Sequence, residues 1–184
     1  MEVKYQFATL LMLCSHVSAQ VSLPAAKSVV INETAALAHV TNIEMERVIA
    51  LLEGDPDADW EKARASDLRF KRVVLAGPDN DGLLVRATAT SDCGATGNCP
   101  VWVLHRSAGN FELVLSGLAD DILLAQQKTR GLRNIMLKAN ESADSTGLVL
   151  FTFDGKKYAV HECYRESTGN RGSGQKSVKT IPCK

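Results

Sequence analysis

Two cysteines, Cys93 and Cys99, bracket five small or polar residues in the most specific-looking motif of the chain, CGATGNC. A thioredoxin-like redox site has two residues between its cysteines, and a zinc site needs four Cys or His ligands. The glycines free backbone N–H groups for an anion, but no lysine follows as in a phosphate-binding loop. We therefore favour a disulfide that closes a tight loop between strands, with Gly94 and Gly97 allowing positive φ angles.

The chain has five cysteines, and one of them, Cys14, lies in the N-terminal apolar run. Because this run belongs to a predicted signal peptide, four cysteines remain in the mature chain. An even number favours two disulfides in an oxidising compartment. Three connectivities are open to four cysteines. We favour Cys93–Cys99 with Cys163–Cys183, because the second bridge ties back the C-terminal tail.

The inventory of catalytic groups is thin. His105 and His161 lie on predicted strands, and the chain has no nucleophile elbow, zincin helix or Walker loop. We expect a protein that is not an enzyme and needs no cofactor. The alternative is a hydrolase or metal-dependent envelope enzyme in which His105 and His161 converge with nearby acids.

The turn GPDNDG resembles part of a calcium loop, with Asp79 and Asp81 at ligand positions. Gly77 occupies the first position, where a side-chain ligand is needed, so we favour a polar hairpin turn. Rigid polar turns of this kind suit a binding face. The residues that we expect on such a face are Asp79, Asp81, Gly94, Thr96, Asn98 and Trp102.

The N-terminus predicts secretion. Residues 1–19 read as a signal peptide, with Lys4 before a short apolar run and the small residues Val17 and Ala19 at the cleavage positions. No later segment approaches the length of a membrane span. Lys+Arg and Asp+Glu are 21 each, and this zero net charge argues against nucleic-acid binding, which needs a basic excess.

A leader and two short helices are expected in residues 20–66. In TNIEMERVIALLEG, Thr41 and Glu44 form a capping box and Gly54 suits the helix end. DPDADWEKARAS predicts the second helix, with Asp55 as its N-cap and Trp60 as its anchor.

A β domain is expected in residues 67–165, where eight short apolar runs alternate with turn signals such as Asp154-Gly155. Residues 166–184 form a basic Gly/Ser-rich tail, tethered by Cys183. The predicted fold class is therefore α+β: an antiparallel meander or sandwich-like sheet, stapled by disulfides, with two short N-terminal helices.

Three stretches together resemble a known group of proteins: CGATGNCPVWVLHRSAGNFELVL, KTRGLRNIML and LVLFTFDGKKYAVHECY. They are similar to small, largely uncharacterised secreted bacterial proteins with a CGATGNCxxW motif. That group is distantly similar to FG-GAP-like repeats, in which acidic turns can hold calcium. The resemblance covers residues 70–164 and implies a β-rich extracytoplasmic domain, with no activity attached.

These observations favour a non-catalytic binding or inhibitory module of the periplasm or cell envelope. Its expected partner is an unknown protein or a cell-wall component. A structural protein of the cell envelope is the other non-enzymatic alternative.

Overall fold

The computed structural model describes residues 21–54, 65–77, 81–88, 92–168 and 176–183. These residues contain one α-helix, α1 (Asn42–Glu53), a single 3-10 turn at Ala65–Asp67 and ten strands. The strands are β1 (Ala26–Ser28), β2 (Leu68–Val73), β3 (Gly82–Ala87), β4 (Cys99–Ser107), β5 (Asn110–Ala119), β6 (Asp121–Thr129), β7 (Leu132–Ser142), β8 (Ser145–Phe153), β9 (Tyr158–Thr168) and β10 (Lys176–Ile181).

Two antiparallel meanders make two sheets. The small sheet has four strands in the order β2-β3-β4-β5, and the large sheet has six in the order β1-β6-β7-β8-β9-β10. All eight predicted strands are present, and the antiparallel prediction is confirmed. Strands β1 and β10 were not predicted, and they lie at the two edges of the large sheet.

The two sheets pack face to face around a shared apolar core. Its small-sheet members include Leu84, Val101 and Val103, and its large-sheet members include Ile135 and Leu137. The approach is close at Gly117 on β5, where an added Cβ would lie 2.8 Å from Leu137 Cδ1. A side chain at that position would have to displace the end of the Leu137 side chain, so glycine suits this close approach.

The other face of the small sheet is covered by α1. Val48 and Leu52 on the helix join a second apolar cluster with Phe70 and Leu104. Strand β4 is therefore buried on both faces, which explains its unbroken apolar run VWVL. The predicted capping box of Thr41 and Glu44 is confirmed at the start of this helix.

A charged cluster fixes α1 to the small sheet. Glu44 forms ion pairs with Arg72 and Arg106, and both guanidinium groups lie over the Phe111 ring, 5.4 and 4.7 Å from its centroid. Burial works against ionisation of Glu44, but the Thr41 hydrogen bonds and the two arginines hold its pKa below the usual range. The cluster acts as a clamp between helix and sheet.

Both flanks of the predicted β domain contribute strands to the large sheet. Strand β1 pairs with β6, and β10 pairs with β9. The predicted boundaries at 67 and 165 therefore divide a single sheet. Most of the second predicted helix, residues 55–64, and the signal peptide prediction lie outside the described residues. The rest of that helix prediction, Ala65 and Ser66, begins the 3-10 turn instead. No helix among the described residues is long and apolar enough to cross a membrane.

Candidate functional site

The two disulfides are those favoured from the sequence. Cys93–Cys99 closes a six-residue separation and Cys163–Cys183 closes one of twenty. In the CGATGNC loop, Gly97 has φ +79°, as predicted, whereas Gly94 is not among the positive-φ residues. The loop joins the small sheet at Cys99, the first residue of β4.

Asn98 docks this loop onto the large sheet. Its side chain accepts a hydrogen bond from Asn140 N at 2.8 Å and donates one to Asn140 O at 2.9 Å. The Asn98 side chain therefore pairs with the backbone of β7 as a residue of a neighbouring strand would. Its polar atoms are engaged in hydrogen bonds within the protein. Of the three predicted loop residues, Gly94 and Thr96 are exposed, and Asn98 is half-buried.

The prediction that Trp102 lies on a binding face is wrong. Its side chain is 1% exposed and belongs to the apolar cluster beneath α1. The alternation of β4 explains this position: Val101 and Val103 face the large sheet, and Trp102 faces the helix.

Asp81 organises its own loop. Its carboxylate accepts hydrogen bonds from Leu75 N at 2.7 Å and Ala76 N at 2.8 Å, and it lies 3.5 Å from His105 Nε2. Burial opposes ionisation, but the backbone donors outweigh it and hold the pKa of Asp81 below its usual range. Both oxygens are thus engaged within the turn, which favours the hairpin-turn interpretation over a calcium loop. Asp79 lies outside the described residues.

Asp81→Asn is expected to lower the free energy of unfolding at neutral pH by about 1–3 kcal/mol, because buried N–H groups lose a charged acceptor. The depressed pKa means that ionised Asp81 contributes stability fully above about pH 4, the ordinary aspartate value. That contribution is lost as pH falls through the lower folded-state pKa. Urea unfolding from neutral to acid pH measures both effects.

The matched control for this substitution is Asp144→Asn, an exposed aspartate in the β7–β8 hairpin. Below about pH 4, the wild-type protein and the control should lose stability more steeply than Asp81→Asn. Equal slopes for all three proteins would show that Asp81 has no special role.

The two histidines of the enzyme alternative lie on different sheets. His105 is on β4 of the small sheet, and exposed His161 lies at the bulge of β9 in the large sheet. Within the described ranges no hydrogen bond joins them, and no group of three or more His, Cys, Asp or Glu side chains could hold a metal ion. The structure therefore does not assemble a site from this pair.

The large sheet carries an open groove that the sequence did not reveal. We call it the β8–β10 groove; its volume is about 380 Å³. The face-to-face core takes its large-sheet residues from β6, β7 and the β8–β9 turn region. The groove lies on the remaining part of the sheet, which is formed by β8, β9 and β10. Its apolar lining includes Val149, Phe151, Val160, Ile181, Pro182 and the Cys163–Cys183 disulfide.

Strand register organises the groove in two rows. Val149, Cys163 and Ile181 are cross-strand neighbours and form an apolar row. The next row lies two residues further along each strand and consists of Gly147, Arg165 and Lys179. Residues directly opposite each other in antiparallel strands share a face, so Lys179 lies on the same face as Arg165.

The charges of the second row are only partly balanced. Glu141 pairs with Arg165 at 2.8 Å and 3.3 Å. Lys179 has no ion pair among the residues that the structure describes, whereas Lys176 on the same strand pairs with Glu166 at 2.6 Å. The groove thus has an apolar floor beside a cationic rim.

Sequence reasoning missed the groove because it missed β10. The tail was interpreted as basic and Gly/Ser-rich, yet the proposed Cys163–Cys183 bridge already placed its end beside β9. Alternating residues in KSVKTI, read together with that bridge, were the signal that a strand could form there.

Comparisons of the chain with protein-family models, with curated proteins and with solved structures give no match. The resemblance to secreted bacterial proteins with a CGATGNCxxW motif therefore stays a prediction from sequence, and the geometry of the β8–β10 groove is the basis for a functional proposal.

Proposed function

We propose that this protein is a non-catalytic binding module of an extracytoplasmic compartment and that it captures a protein partner in the β8–β10 groove. The observation that carries the proposal is the open apolar floor of the groove, in which Val160 is 52% exposed. Concave, mostly apolar surfaces with a few convergent polar groups are typical of binding sites. Two disulfides support the compartment, because such bonds persist in oxidising surroundings.

An unbiased library of displayed decapeptides, selected on the oxidised protein, tests this function. We expect selected peptides to bind the wild-type protein with micromolar Kd. They should bind the Val160→Asp variant about tenfold or more weakly, because a desolvated carboxylate on the groove floor opposes apolar contacts. Fluorescence anisotropy with each labelled peptide gives the Kd.

The matched control is Leu118→Asp, which places the same charge on an exposed leucine of β5 in the small sheet. This variant should bind as the wild-type protein does. Failure to select any peptide whose binding depends on Val160 would refute the groove as the binding site.

A further inference from the structure

The edge of the large sheet next to the groove is open. Strand β10 is last in the order of six strands, and among the described residues it pairs only with β9. Its outer N–H and C=O groups can therefore pair with an added strand, a common way in which proteins bind extended peptides. Backbone pairing supplies affinity in such complexes, and alternate side chains supply specificity.

The two faces of β10 differ in a way that defines what such a strand would carry. Val178 packs with a third apolar cluster of the large sheet, which includes Leu148, Leu150 and Tyr164. Lys179 and Ile181 alternate with it and lie opposite Arg165 and Cys163, two residues that line the groove. An added strand would therefore present one side chain beside Lys179 and another beside Ile181, two residues apart.

Charge complementarity identifies the first of these side chains. Lys179 and Arg165 are like charges directly opposite each other, an arrangement that destabilises a sheet. Glu141 offsets one of them, and one cationic group remains. A carboxylate on the added strand beside Lys179 offsets this remaining charge and forms charge-assisted hydrogen bonds with Lys179. The apolar row of Val149, Cys163 and Ile181 accepts an apolar side chain.

We propose that the β8–β10 groove binds an extended peptide segment that adds as a strand to β10, with an acidic residue beside Lys179 and an apolar residue two positions away beside Ile181. This proposal rests on the proposed binding function and names the chemistry of its ligand. Lysines on an edge strand also protect against unwanted strand pairing. The preference for an acidic residue beside Lys179 is therefore tested directly, by changing the charge of the peptide and of Lys179.

The probe is a labelled synthetic decapeptide of alternating threonine and valine, with one glutamate two positions from a phenylalanine. A second peptide has lysine in place of the glutamate. We expect the glutamate peptide to bind wild-type protein at least about fivefold more tightly than the lysine peptide, as a partly exposed ion pair contributes about 1 kcal/mol.

Charge exchange makes the test specific. Lys179→Glu should weaken the glutamate peptide about tenfold and should restore binding of the lysine peptide. Lys179→Gln should weaken the glutamate peptide about fivefold. The matched control is Lys176→Gln on the same strand, whose lysine lies on the other face and pairs with Glu166; it should leave both peptides unaffected.

The outcomes separate this proposal from the binding function itself. Peptides that bind through Val160 but show no preference for glutamate would overturn the acidic-ligand proposal and leave the function standing. Loss of all Val160-dependent binding would overturn both. Concentration-dependent dimerisation that Lys179→Glu alters, measured by analytical ultracentrifugation, would identify a second copy of the chain as the occupant and overturn the peptide proposal.

Discussion

Trp102→Ala is expected to lower the free energy of unfolding by about 3–5 kcal/mol, because it leaves a large cavity in a close-packed region. The indole is 1% exposed and lies in the cluster formed by α1 and the small sheet, with Phe70 and Leu104. Domains of this size are stable by about 5–15 kcal/mol. The variant should therefore be close to the limit of stability, as urea unfolding followed by far-UV circular dichroism would show.

Two further variants separate packing from other effects. Trp102→Phe keeps most of the buried apolar surface and should destabilise much less than alanine. Leu118→Ala, at a leucine that is 62% exposed, should change the free energy of unfolding by less than about 0.5 kcal/mol. If Trp102→Ala were no more destabilising than Leu118→Ala, Trp102 would not be a core residue.

The eight strands β2 to β9 could be predicted because each has a local signal. Alternating apolar residues and tight turns place β5 to β9, and Asp154-Gly155 marks the last hairpin. Strand β4 lacks alternation, since Val101 and Val103 face one sheet while Trp102 and Leu104 face the helix cluster. An apolar run of this kind can be recognised in the sequence as a buried strand. The sequence does not show which elements cover its two faces.

The two edge strands of the large sheet, β1 and β10, could not be predicted, because their structure depends on distant parts of the chain. Strand β1 has three residues and exists through its pairing with β6. Strand β10 has mostly exposed polar side chains, and its position is fixed by β9 and the disulfide to Cys163. Propensity over such short segments is a weak signal, and tertiary pairing decides the outcome.

The roles of the polar turn residues were also beyond the sequence. Asp81 and Asn98 were predicted as turn residues of a binding face, and both use their side chains to satisfy backbone groups of the protein itself. Partly buried N–H and C=O groups need partners, and sequence spacing does not show which groups those are. The groove arises because the six-stranded sheet is wider than the four-stranded sheet that packs on it. This is a property of the assembled sheets and has no local sequence signal.

Removing the Cys163–Cys183 disulfide is expected to lower the free energy of unfolding by about 3 kcal/mol, and removing Cys93–Cys99 by about 2 kcal/mol. The difference follows from the loops that they close, with separations of twenty and six residues. A longer loop restricts the unfolded chain more strongly. Paired alanine variants, compared by urea unfolding under identical oxidising conditions, give both values.

The same two variants have opposite consequences for the β8–β10 groove. Without Cys163–Cys183, strand β10 keeps its pairing with β9 but loses its covalent link to that strand, and the groove loses the disulfide that forms part of its floor. We therefore expect the Cys163→Ala/Cys183→Ala protein to lose decapeptide binding under conditions where it remains folded. The Cys93→Ala/Cys99→Ala protein should bind normally, because its bridge lies at the start of β4. Equal binding by both variants would mean that the edge strand holds its place without the bridge and that the disulfide stabilises the fold alone.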